Sequence, residues 1–213
     1  LFRSNDLKDA KILGGADAVK LNQEASALAV LGSAGPVNFQ LWQVAVSQVN
    51  TNNTLVVSGK FGPVAAGVRV ATTSWDDSLN KEDGDTTIVT LGTKAGKVGI
   101  SFAYLMNGED GAAFTTDASS ANTAEMVKLH ASNRADLTAM ILGVSMPFAN
   151  GYSAALKYGT ADWEAMDISP SEIVAQLNKK FAKNLSGSLR YSTYDADGGD
   201  DIDTMRADIK YSF

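Results

Sequence analysis

Residues 202–213, read as Ile-Asp-Thr-Met-Arg-Ala-Asp-Ile-Lys-Tyr-Ser-Phe, decide the fold. Met205, Ala207, Ile209, Tyr211 and Phe213 fall on one side of an extended chain, and Thr204, Arg206, Asp208, Lys210 and Ser212 fall on the other. That is the period-two signature of a strand with one apolar and one wet face. A soluble sheet would show the same alternation, so the rest of the chain must discriminate.

Composition narrows the field. The 213 residues include 19 Gly, 4 Pro and no Cys, which favours one all-β domain spanning residues 1–213. Nowhere do roughly 18 apolar residues run together, so any crossing of a membrane must be made by a closed barrel. A mean hydropathy of -0.07 fits strands that keep half of their side chains on a polar face. Without cysteine there are no disulfides, thiolate metal sites or cysteine nucleophiles. A net charge of -6 argues against nucleic acid as a partner and supplies no polybasic membrane anchor. Leu1 to Asp9 has neither the basic start nor the apolar core of a signal peptide.

Upstream of residue 202 the alternation recurs with turns between the runs. Strands are expected over 185–194, 173–181, 152–163, 137–148, 97–106, 86–93, 64–75, 54–61 and 37–49. Every second connection is short: Gly35-Pro36, Gly62-Pro63, Ala95-Gly96, Asn150-Gly151 and Lys183-Asn184. The others, 76–85, 108–136, 164–170 and 195–201, are longer or more acidic. Short turns at one end and long loops at the other are the pattern of an up-and-down transmembrane β-barrel. Phe61, Phe148, Tyr152, Phe181 and Phe213 sit at or beside the short turns, where an interfacial aromatic girdle lies. A soluble β-sandwich acting as a binding domain also has many short strands, but it seldom keeps every second loop short over five hairpins.

The ending apolar-x-Tyr211-x-Phe213 resembles the closing strand of bacterial outer-membrane β-barrels, whose terminal aromatic is read by the barrel-assembly machinery. The strand rhythm, with LKDAKILGGAD at residues 7–17 and NFQLWQVAVS at 38–47, resembles the later half of eighteen-stranded porins, in particular the Campylobacter-type major outer-membrane protein. The resemblance implies a trimeric, passive channel for small hydrophilic solutes and ions, surrounded by membrane lipid and lipopolysaccharide. The expected architecture is about 11–12 strands in this chain. Residues 16–31 are the open point, since their Ala, Leu, Gln and Glu suit a helix as well as a hairpin. The opening LFRSNDLKDAKILGG reads as a loop feeding a strand, so the chain is expected to be the C-terminal part of a larger, 16–18-stranded barrel. The pore-narrowing loop of those families would then lie outside it.

Alternation assigns Lys60, Arg69, Lys157, Lys180, Arg190, Arg206, Asp208 and Lys210 to the polar face, as pore-lining residues. In a membrane barrel a charge facing lipid at mid-bilayer costs about 2–4 kcal/mol, so that face turns inward. A hairpin turning near Gly198 sets Arg190 opposite Arg206, an unfavourable pair that needs carboxylates from elsewhere or passing solutes. Two constellations carry sharper chemistry. Asp195, Asp197 and Asp200 alternate around glycines like the first half of a calcium loop, without the bidentate Glu of an EF-hand. His130-Ala131-Ser132-Asn133 resembles the His-x-Ser-Asn motif of outer-membrane phospholipase A, which would make Ser132 a nucleophile and His130 its base. No Asn or Asp is evidently placed to orient that imidazole, and a lone loop histidine is ordinarily a solvated one.

If the terminal aromatics are an assembly signal, deleting Phe213 lowers the amount of protein in the outer membrane more than Phe181→Ala does. Quantitative blotting of membrane fractions checks this, and equal levels for the two variants reduce Phe213 to ordinary packing.

Overall fold

The structure is a computed structural model, described here for residues 2–4, 24–114, 126–129 and 134–212. Those residues form one twelve-stranded antiparallel sheet in which each strand pairs only with its neighbours in sequence. The strands are β1 (Phe2–Ser4), β2 (Ala25–Ala34), β3 (Val37–Val46), β4 (Asn50–Phe61), β5 (Val64–Trp75) and β6 (Gly84–Ala95). They continue with β7 (Val98–Asn107), β8 (Leu137–Pro147), β9 (Tyr152–Trp163), β10 (Ser171–Lys180), β11 (Leu185–Asp195) and β12 (Ile202–Tyr211). β1 and β12 are the two edges of an open sheet. Phe213 lies outside the described residues.

The alternation read from the sequence holds strand by strand, with three differences in strand placement. Phe2–Ser4, expected as part of a loop, pair with Ala27–Ala25 as the short strand β1. Residues 25–31 are strand and not helix: Ala25–Ala34 pairs residue for residue with Val46–Val37. Ladder hydrogen bonds along both edges of β2 outweigh the modest helix preference of Ala and Leu. Residues 16–23 lie outside the described residues. β4 begins at Asn50, four residues before the expected start, because Asn50, Asn52 and Thr54 are buried and their backbone pairs with both β3 and β5. The β3–β4 connection is therefore only Ser47 to Val49, closed by Val49 N–H on the Val46 carbonyl at 3.0 Å. This tight turn sits at the end where the other connections are long, so the alternation of loop length is broken once.

One face of the sheet is apolar and open from β2 to β12. Leu28, Leu41, Leu55, Val68, Leu91, Leu142, Leu156, Leu177, Leu189 and Ile209 all lie on it and are exposed. The opposite face carries Asn52, Thr73, Arg69, Lys157, Glu172 and Arg190, and the described residues of the β7–β8 connection, 108–114, 126–129 and 134–136, pack against it. We call it the inner face. Its one apolar cluster, Met126, Leu129, Leu137, Ala139, Ala161 and Val174, forms where that connection meets β8, β9 and β10.

The hairpin turns Gly35-Pro36, Gly62-Pro63 and Gly96-Lys97 each open on a glycine with φ near +60°. A two-residue turn with glycine first matches the right-handed twist of the flanking strands. No atom outside the neighbouring residues approaches the Cβ position of Gly62, so the requirement is conformational and not steric. Gly62→Ala is expected to cost about 1–2 kcal/mol. Urea unfolding checks this; a loss below a few tenths of a kcal/mol would mean that the turn relaxes freely.

Candidate functional site

The register fixes which charges share the inner face. Among the described residues the strands place eight cations there: Lys60, Arg69, Lys94, Lys157, Lys180, Arg190, Arg206 and Lys210. Two carboxylates accompany them, Glu172 and Asp208. A chain with a net charge of -6 thus has one strongly cationic surface, its excess of acid being sorted into the loops and strand ends. Lys94 escaped the sequence reading because its strand was ended at Thr93, although it continues the face of Thr86, Thr90 and Gly92.

Both inner carboxylates are engaged. Arg190 and Arg206 are directly opposed in the β11–β12 register. Asp208 lies beneath them: one oxygen accepts from Arg190 Nη2 at 3.0 Å and the other from Arg206 Nε at 2.9 Å. Asp208, two residues along the same face, is the carboxylate that the arginine pair needed. Arg190 is largely buried, with a side-chain exposure of 15%, whereas Arg206 keeps 59%. Around them opens a recess of about 630 Å³ at the short-turn end, lined also by Gln176, Asn178, Lys180, Lys183, Ser188 and Lys210.

Glu172 does something the sequence did not reveal. It is completely buried, and its carboxylate accepts from three successive backbone amides, Val127, Lys128 and Leu129, at 2.8–3.2 Å. Successive N–H groups converging on one anion form a compact receptor for negative charge, here filled by the protein itself. Beside it Met126 and Leu129 press onto Gly159, where a Cβ would stand within 2.8 Å of Met126 Cε. The other limb of the connection is held on β5 and β6. Ala113 N–H donates to Thr86 Oγ1 at 3.0 Å, Phe114 N–H donates to Thr73 Oγ1 at 2.7 Å, and the Phe114 and Trp75 rings lie 5.9 Å apart. Residues 134–136 close the connection, with Trp163 Nε1 donating to the Ala135 carbonyl at 2.9 Å and Arg134 stacked 4.8 Å from the Trp163 ring. The described parts of this connection, residues 108–114, 126–129 and 134–136, therefore lie against the inner face on both sides of β7 and β8, as the limbs of a folded-in loop.

The remaining candidates fare differently. Asp197 Oδ2 accepts from Ser169 N–H at 2.6 Å and Asp195 Oδ1 from Asp197 N–H at 2.9 Å, so these carboxylates brace loop backbone. Among the described residues no three acidic or imidazole side chains converge, so Asp195, Asp197 and Asp200 do not form the cage their spacing suggested. His130 and Ser132 lie outside the described residues. In the β5–β6 loop, the hydroxyl and then the N–H of Ser78 bond to the Asp76 carboxyl and hold it below the usual carboxylate range.

Solved structures of similar shape give this geometry a context. OccAB3 of Acinetobacter baumannii superposes with a TM-score of 0.76 at 15% identity over 92% of this chain and 56% of its own. OccK5 (OpdH) of Pseudomonas aeruginosa gives 0.75 at 15% identity, over 91% and 59% respectively. OpdK of Pseudomonas aeruginosa, solved with vanillate, gives 0.71 at 13% identity, over 89% and 56%. The chain has the fold of the porin barrels. It spans a little over half the length of these channels, and the likeness lends no support to the narrower resemblance to the Campylobacter-type protein. No protein-family model matches the chain, and no curated protein matches it in sequence.

Removing the anchor tests the loop. Hydrogen bonds to a charged group contribute about 1.5–3 kcal/mol each, so Glu172→Ala raises the undocked fraction by about tenfold or more. Trypsin cleavage after Lys128 and Arg134 should accelerate accordingly in native protein. An unchanged rate would mean that the apolar contacts of Met126 and Leu129 hold the loop alone.

Proposed function

We propose that this chain is part of an outer-membrane porin of a Gram-negative bacterium, a passive channel for small hydrophilic solutes with a preference for anions. The observation that carries the reading is the division of the sheet into two faces. The outer one is a continuous apolar surface from Leu28 to Ile209, and the inner one, among the described strand residues, holds eight cations against two carboxylates already in use. Such a sheet is stable with hydrocarbon on one side and water on the other.

The open edges at β1 and β12, together with the greater length of the similar channels, favour a larger barrel of which these strands are one portion. Unpaired strand edges are not tolerated in hydrocarbon, so further strands would close the wall. The loop anchored on Glu172 narrows the space within it. A solute passing that loop meets the Arg190–Asp208–Arg206 group, whose two guanidinium groups share one carboxylate and leave positive charge uncompensated. Small organic carboxylates suit this arrangement, and vanillate in OpdK is of that class. Trimeric assembly, contact with lipid and lipopolysaccharide, and delivery by the assembly machinery through Tyr211 and Phe213 belong to the same proposal. A channel needs no nucleophile, so His130 and Ser132 have no part in it, and calcium at Asp195, Asp197 and Asp200 is not required.

Replacing both Arg190 and Arg206 by Gln removes two positive charges and frees Asp208. In planar bilayers the reversal potential under a salt gradient then moves toward cation selectivity, most at about 0.01 M salt, where the Debye length is about 30 Å. A reversal potential that stays put in the double variant would remove these arginines from the selectivity of the channel.

A further inference from the structure

We propose that the outer face carries a binding groove for one anionic phospholipid, with an acyl chain lying along β9 and β10 and the phosphate held by Lys179. This rests on the reading of the sheet as the wall of a membrane barrel. An apolar recess of about 560 Å³ opens on that face near the short-turn end. Its floor is made by Ala154 and Ala175, two small residues set among larger ones at this point of the wall. Each is flanked on both neighbouring strands by bulk: Met146 and Leu177 beside Ala154, Leu156 and Tyr191 beside Ala175. The two alanines are diagonal neighbours, so the result is a short trench running obliquely across the strand pair.

A charge lies beyond the trench, on the same face. Alternation carries the outer face of β10 from Ala175 through Leu177 to Lys179, about 13 Å at the rise of a strand. Beside it the face of β9 runs from Ala154 to Tyr152, and Lys179 Nζ sits 3.8 Å from the centre of the Tyr152 ring. The ammonium donates one hydrogen bond, to the Asn150 carbonyl at 2.5 Å, and retains two further donors. A lysine whose stem lies on an apolar wall with its amine at the aromatic rim is placed for the membrane interface.

Lys179 is also singular. Among the described residues it is the one cation on the outer face of strands β2 to β12. The other charges there, Asp85, Asp162, Asp195 and Asp203, all lie at the long-loop end. An anionic group moving over β2 to β12 meets this one strand cation, which lies at the next outer-face position beyond Leu177, a residue that lines the trench. Lipid tails are as apolar as the trench, so retention comes from shape and from this charge and not from hydrophobic transfer.

The full-length protein in neutral detergent, titrated with palmitoyl-oleoyl-phosphatidylglycerol and followed by native mass spectrometry, tests the site. One lipid per chain should be retained. Lys179→Gln should lower the retained fraction about fivefold, the factor that about 1 kcal/mol per lysine beside anionic headgroups gives. Ala154→Leu combined with Ala175→Leu fills the trench and should lower it similarly, whereas Lys180→Gln on the inner face should not. Equal retention in all four proteins overturns the proposal. So does a filled trench that alters the oligomeric state and leaves lipid retention unchanged, since the groove would then receive a second copy of the chain. Bilayer conductance separates this site from the channel reading: normal conductance in variants and parent without lipid retention sinks the groove alone, and a parent that never conducts sinks both.

Discussion

An unbroken antiparallel ladder is the constraint on which everything else depends. Eleven successive pairings, each between strands adjacent in sequence, leave no freedom for one strand to slip independently of the next. A slip of one residue would turn a whole strand inside out. In β12 it would carry Arg206 and Lys210 to the apolar side and Ile209 to the wet one, costing about 2–4 kcal/mol for each charge set in hydrocarbon. Register therefore determines chemistry. Arg190 faces Arg206, and Asp208 falls within reach of both, because β11 and β12 are paired as they are.

The folded-in loop is built on a different principle. Its limbs are held by single polar anchors on the wall, each meeting backbone amides that sheet pairing cannot satisfy. Thr73 and Thr86 receive one amide each, and Glu172 receives three. Burying a carboxylate is tolerable only when it is well hydrogen-bonded, and four bonds at 2.8–3.2 Å meet that condition. Small residues in the wall make room: Gly84 has the Ala112 carbonyl 2.5 Å from its Cβ position, and Gly159 receives Met126 and Leu129. Wall and loop are fitted to each other, so loop position follows from wall composition.

Strand identity and facing were legible in the sequence because period-two alternation is local, and ten residues suffice to show it. What escaped was long-range. Glu172 and Val127 are 45 residues apart, and nothing near Glu172 announces a partner. The polar run Asn50 to Thr54 reads as loop because its alternation is hidden: both faces are polar, one against the folded-in side and one at the rim. The ambiguity at residues 25–31 was real in propensity terms and was resolved by β3, which no local window contains. Asp208 was placed on the correct face, but its bridging of two arginines required knowing the hairpin register to the residue.

Charge is sorted along the barrel axis as well as across the wall, and this decides where selection acts in the proposed channel. Asp76, Asp83, Asp110, Glu164, Asp167 and Asp201 gather at the long-loop end, while Lys60, Lys94, Lys97, Lys180, Lys183 and Lys210 gather at the short-turn end. At physiological salt the field of exposed carboxylates decays over about 8 Å, so the acidic mouth barely repels an approaching anion. Beyond the loop held by Glu172, water is confined between low-dielectric walls and the same amount of charge acts more strongly. Arg190, buried among β-strands and sharing its carboxylate with Arg206, keeps its charge where screening is weakest. In the proposed channel, selectivity would therefore be set on the inner wall past the loop, with little bearing from the acidic rim that gives the chain its net negative charge.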